Sequence, residues 1–388
     1  MNNFHSRLTK MVLCCLICRI ICLPLQAEQV KFIVDLEITG AGQKIFLIEK
    51  EIKRIQTQLK GMTEARISFE HEWEWEAYKK QKQEFQEKLT KLQAELEELK
   101  RALEFFKKKK KLFPSHEGGK ICDYFFTLPV DPKVYEEEFL KVAQLFYKMF
   151  PSVPFSFQTR PQILIYKKAD DYNAFQKEVP DNVAEHQLSK RAYELGGVMP
   201  FTGPSNRKYY VMEIYDQPVF DIFRHGVAHL FLNRMVDPST FSIKSNSGSP
   251  FLIEGFAGNV AASFDNAVYE AETRFCAMTT ESFKMGKIAN LLKQTEVPST
   301  PDEARKFYYG EAVLFVRWIV FLPEGLVLFK QLLDAGRFDH ESILRNFQGA
   351  NGLARTGFEA YYEWRKQEIV RLRLRLTDPD AREGIPKP

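Results

Sequence analysis

Two histidines stand four residues apart in Asp221-Ile222-Phe223-Arg224-His225-Gly226-Val227-Ala228-His229-Leu230. On a helix, that spacing puts both imidazoles on one face, one turn apart, and offers a tetrahedral metal two neighbouring ligands. The chain has seven histidines, and chance alone would give about 0.12 pairs at this spacing. The pair is therefore suggestive rather than decisive. Glu254, within Leu252-Ile253-Glu254-Gly255-Phe256-Ala257, comes twenty-five residues after His229. Glu254 is the only acid between Phe241 and Ser263, a stretch otherwise dominated by apolar and small residues. A carboxylate in such a helix is costly to bury alone, and a cation or two imidazoles would partner it. The alternatives are ordinary hydrogen-bonded core histidines and, for Glu254, an exposed charge near a helix N-terminus. Asp221 lies one turn before His225, where it either orients the His225 ring or simply complements the start of the helix.

These side chains need elements to hold them. From Pro218 onward the pattern is helical, with segments at 219–235, 252–270, 304–321, 324–335 and 356–374. Before it, strands are expected at 121–128, 161–166, 196–201 and 209–213, the last two flanking a turn at Gly203-Pro204-Ser205-Asn206. Helices are expected at 134–150 and 169–176. Strands first and helices after make an α+β domain over 119–388. Its small mixed-sheet part spans 119–216 and its mostly helical part 217–376.

The order of short strands, a His-x-x-x-His helix, a Glu-Gly-x-Ala helix, and then Tyr308-Tyr309-Gly310-Glu311-Ala312 resembles the gluzincin clan of zinc metallopeptidases, specifically its peptidase MA-like group. The segments 332–338 (LLDAGRF) and 361–365 (YYEWR) fall in the order of that group's C-terminal helices. The resemblance implies Zn²⁺ held by His225, His229 and Glu254. It also implies an oxyanion-stabilising role for Tyr308, whose other reading is a core tyrosine at helical spacing with Ala312 and Phe315. In that clan the Glu inside H-E-x-x-H is the general base. Here the position is Gly226, which neither takes nor gives a proton. The expected function is thus that of a catalytically impaired metallopeptidase-like protein that binds polypeptide. A slow zinc peptidase with a non-standard base and a structural coiled-coil assembly protein are the competing readings.

Ahead of this domain, apolar residues at Ile45, Ile48, Ile52, Ile55, Leu59 and Met62 step by three and four, a heptad seam. A second run, Phe85, Leu89, Leu92, Leu96, Leu99, Leu103 and Phe106, is out of phase with the first. A coiled coil over 44–113 is expected, as one long helix or as a hairpin broken near Gly61 or the phase shift. It is expected to self-associate and to be separable, so that deleting 28–111 leaves a folded monomer. Its Lys107–Lys111 end is expected to be a solvated helix terminus that suits the macrodipole. At the N-terminus, Arg7 and Lys10 precede an apolar run and Ala27, the layout of a secretory signal. Export to the periplasm or outside the cell is expected, with membrane attachment only if this leader stays uncleaved. Four of the six cysteines lie in the leader, and Cys122 and Cys276 are left either paired or as buried thiols. With 55 basic and 51 acidic residues, no nucleic-acid partner is expected.

Overall fold

The computed structural model describes residues 32–64, 71–150, 157, 159–178, 197–202, 208–216, 220–235, 249–278, 286–294, 297–298, 302–320, 322, 325–335, 339–346 and 357–377. The leader with its four cysteines and the turn at 203–206 lie outside the described residues.

The two heptad runs form two helices, α1 (Ile33–Glu64) and α2 (Glu72–Leu112), folded back on each other. The pairing is antiparallel: Lys88 Nζ meets Glu51 at 2.8 Å, Lys110 Nζ meets Asp35 at 2.5 Å, and the Tyr78 hydroxyl donates to the Met62 carbonyl. The seam is thus covered within one chain, with Ile52 and Ile55 buried. At about 1.5 Å per residue, α2 is roughly 60 Å long. No described helix is long and apolar enough to cross a membrane.

The chain then enters a five-stranded mixed sheet of order β1-β2-β3-β5-β4. Its strands are β1 (Ser115–Gly118), β2 (Asp123–Phe126), β3 (Gln162–Tyr166), β4 (Gly197–Thr202) and β5 (Lys208–Tyr215). β2, β3 and β5 run parallel, while β1 and β4 are antiparallel edges. Helix α3 (Pro132–Met149) connects β2 to β3, and α4 (Ala169–Gln176) follows β3. Every residue of β2 and β3 is buried, because both faces of the sheet are covered. One face carries Tyr124, Phe126, Ile163, Ile165, Tyr210, Met212 and Ile214 into the main core. Phe125, Leu164, Tyr166 and Val211 point the other way, as the two-residue period requires.

That second face corrects the expectation of a separable coiled coil. It is covered by the base of the hairpin: Phe32, Ile33 and Val34, then Ala102, Phe105, Phe106 and Phe113, with Tyr172 and Phe175 of α4. Phe32 stacks on Phe125 at 4.2 Å between ring centres, and Phe105 on Phe175 at 4.8 Å. The lysine run is corrected at one position. Lys109 is 2% exposed, and its Nζ lies 2.5 Å from Glu213 on β5. Deleting 28–111 should therefore give insoluble or unfolded protein, as read by gel filtration and circular dichroism. It uncovers the four apolar sheet residues Phe125, Leu164, Tyr166 and Val211 and removes Lys109, the cation paired with Glu213 on the same face.

The rest is helical: α5 (Asp221–Met235), α6 (Pro250–Ala262), α7 (Asn266–Met278), α8 (Gly286–Lys293), α9 (Asp302–Val320), α10 (Gly325–Asp334), α11 (His340–Asn346) and α12 (Gly357–Thr377). The α+β reading of strands followed by helices holds at this coarse level. The helix expected over 252–270 is two helices, because Asp265 accepts from Ala267 N at 2.8 Å and starts α7 anew. Cys122 and Cys276 are both buried free thiols, and burial pushes both well above the ordinary thiol range.

Candidate metal centre

Helix α5 follows β5 in the chain, and Arg224 ties its first turn to α3. The Arg224 guanidinium reaches Glu138 of α3 at 2.7 Å, with Lys141 Nζ 2.6 Å from the same carboxylate. Burial opposes the charge on Glu138, but the two cations hold its pKa below the usual value. Phe223, Val227, Leu230 and Phe231 face the core, so His225 and His229 share the opposite, partly open side. The helical reading of their spacing is therefore correct.

Helix α6 brings Glu254 to them, and its own position is set by its contact with α9. An added Cβ on Gly255 would lie 2.2 Å from the Ala312 carbonyl oxygen, and one on Gly258 would lie 2.5 Å from Val313 Cγ2. The helices approach so closely that only glycine fits at the first position. Asn259 then ties them, its Nδ2 donating to the carbonyls of Gly255 and Val313, each at 2.7 Å. Gly255→Ala should destabilise the fold by about 1–3 kcal/mol through overpacking, outweighing the helix propensity gained. An unchanged denaturation midpoint would count against this account of the crossing.

The three side chains converge. His225 Nε2 is 2.9 Å from His229 Nε2 and 3.2 Å from Glu254 Oε2, which is 3.4 Å from His229 Nε2. They form the described residues' one group of three or more potential ligands. Ligands about 2.0–2.1 Å from a tetrahedral ion stand roughly 3.3–3.4 Å apart. The observed triangle is near those edges, so the donor set and its spacing both suit a divalent cation. Burial works against the charge on Glu254, yet the two imidazoles hold its pKa far below the carboxylate range. Burial also disfavours protonated His225, but Glu254, with Glu272 and Asp221 behind it, raises its pKa overall.

Tyr308, on the first turns of α9, is fully buried, with its ring edge-on to Phe251 at 5.3 Å between centres. Its hydroxyl has no hydrogen-bond partner among the described residues. Burial, aided by the negative charge of Glu254, raises its pKa. Glu311, three residues on, belongs to a different cluster: it is buried against Arg365 Nε at 2.9 Å and the Tyr361 hydroxyl at 3.0 Å. Gly226 is buried within α5. Asp221 accepts from the Ile222 backbone N–H at 2.8 Å, so it caps its own helix.

One acid that the sequence did not single out lies in the same field. Burial, with the charges of Glu254 and Asp221 and against that of His225, raises the pKa of Glu272 on α7. No family model matches the chain, and no curated protein matches it.

Proposed function

We propose that the chain is an exported, metallopeptidase-like protein that holds Zn²⁺ at His225, His229 and Glu254 and binds polypeptide beside it, with hydrolysis impaired by Gly226. The convergence of two Nε2 atoms and one carboxylate oxygen within a triangle of 2.9–3.4 Å carries this reading. Three protein ligands with a fourth position open are the pattern of catalytic rather than structural zinc. Zinc at such a site supplies a Lewis acid that polarises a carbonyl and lowers the pKa of a bound water.

The chain's own residues do the rest. The imidazoles are presented by one rigid helix, and Glu254 by a second helix locked at Gly255 and Asn259. Tyr308 keeps a buried hydroxyl with no hydrogen-bond partner among the described residues, the group assigned to hydrogen-bond a carbonyl oxygen that gains charge. What α5 lacks is a proton acceptor between the histidines, worth about 10²–10⁴-fold in rate. Metal analysis of the purified full-length protein tests the central claim.

A further inference from the structure

The end of the hairpin away from the sheet exposes two tryptophans. Trp73 is 68% exposed and Trp75 41% exposed, both on the first turns of α2. An indole is a large side chain to leave in water, and tryptophan is on average well buried. From Glu70 to Glu76 the sequence alternates glutamate with His71, Trp73 and Trp75 and holds no lysine or arginine, in a chain whose formal charge is +4. Phe105, where α2 meets the sheet, lies about 50 Å farther along the helix.

Helix geometry gathers these groups on one side. Tyr78 faces α1, where its hydroxyl donates to the Met62 carbonyl. At about 3.6 residues per turn, Trp75, Glu72, Glu76 and Trp73 follow in that order around the side turned away from α1. Two carboxylates one turn apart are thus flanked by two indoles. The Trp75 side shows what such a face holds. Lys79 Nζ lies 4.9 Å from the centre of the Trp75 ring and 2.7 Å from Glu76 Oε1, so one ammonium is shared between an aromatic face and a carboxylate. The Tyr78 ring stacks on Trp75 at 5.7 Å between centres and steadies the indole. The Trp73 side has the same two kinds of group. Among the described residues Glu72 makes no hydrogen bond or ion pair, and Trp73 has only His71 as a ring neighbour, at 6.2 Å between centres.

We propose that this tip is a docking surface for a basic polypeptide, whose lysine or arginine side chains lie over Trp73 and pair with Glu72 as Lys79 lies over Trp75 and pairs with Glu76. Charge complementarity selects the partner. The face of an indole attracts a cation more strongly than any other aromatic side chain, and the neighbouring carboxylates supply the opposite charge. The same carboxylates disfavour anionic lipid and nucleic acid. Binding here requires no metal.

Full-length protein is titrated into a short fluorescein-labelled peptide of alternating lysine and serine, and anisotropy is read. Binding should weaken as salt is raised, because exposed charges are screened, and should be absent for the matching glutamate–serine peptide. Trp73→Leu should weaken it about 2–5-fold, Glu72→Gln by a similar factor, and the two together about tenfold. Trp73→Phe should retain more affinity than Trp73→Leu, because leucine keeps apolar area but has no aromatic face. Trp73 and Glu72 stand in solvent, so these variants should fold as the unmodified chain does, as checked by circular dichroism. Chelation should leave the affinity unchanged. No binding of the lysine peptide, equal binding of both peptides, or full affinity in the double variant overturns the proposal. Loss of binding on chelation also overturns it, since the peptide would then sit at the histidines. A dimer that Trp73→Leu dissociates, seen by sedimentation, would assign the tip to a second copy instead, and Trp73-dependent binding to phosphatidylcholine vesicles would assign it to lipid; either result overturns the proposal.

Discussion

His229→Ala should purify without zinc, where the unmodified chain carries about one ion per molecule. His229 occupies one corner of a triangle in which every edge is at most 3.4 Å. Removing it leaves two ligands on different helices and an open third position. The stability change should be as large as the compositional one. A ligand present at a thousandfold its dissociation constant contributes about 4 kcal/mol to the folded state, so the unmodified protein should melt higher with zinc than after chelation. The alanine form should not respond to either treatment. Unmodified protein that is metal-free and melts identically with and without zinc would sink the site.

Gly226→Glu should raise hydrolysis of an unfolded polypeptide by about 10²–10⁴-fold over the unmodified protein, the usual contribution of a positioned general base. The substitution also favours the helix, since glycine in a helix interior costs up to about 1 kcal/mol relative to alanine and glutamate costs less. The comparison is made at saturating zinc, with metal content and circular dichroism measured beside the rate. Robust peptidase activity in the unmodified protein, unimproved by the change, would overturn the claim that Gly226 impairs the site. Stoichiometric zinc with no turnover in either form would leave a binding role alone.

Several parts of the molecule could be read from local pattern. The helix Pro132–Met149 follows the 3.6-residue apolar period closely, with Tyr135, Phe139, Val142 and Phe146 on its buried face. The strand Gln162–Tyr166 is a short β-branched run of the kind a doubly covered sheet requires. The heptad steps from Ile45 to Met62 showed a helical seam, though not its partner. The restart at Asp265 also had a local signal, an Asp immediately ahead of a helical run, which the continuous apolar pattern across 252–270 concealed. The strand Ser115–Gly118 had none, because its residues are polar and mostly exposed, and only pairing with β2 makes it a strand.

The sequence by itself determined that His225 and His229 share a helix face, that Glu254 sits in an apolar helix in want of a partner, and that the helix between the histidines has no base. These are consequences of spacing and residue type, which act within one element. Only the tertiary structure decided what lies beside what. Of five consecutive lysines it buries Lys109 alone, because the register of α2 against the sheet aims that one at Glu213. It makes Gly255 a contact point between α6 and α9, and it brings Glu254 from α6 to the histidines of α5. No local rule reaches across such distances. Which of several similar charges is buried and which reaches the site depends on how helices 30 or more residues apart in sequence pack, and close-packed interiors fix that jointly rather than residue by residue.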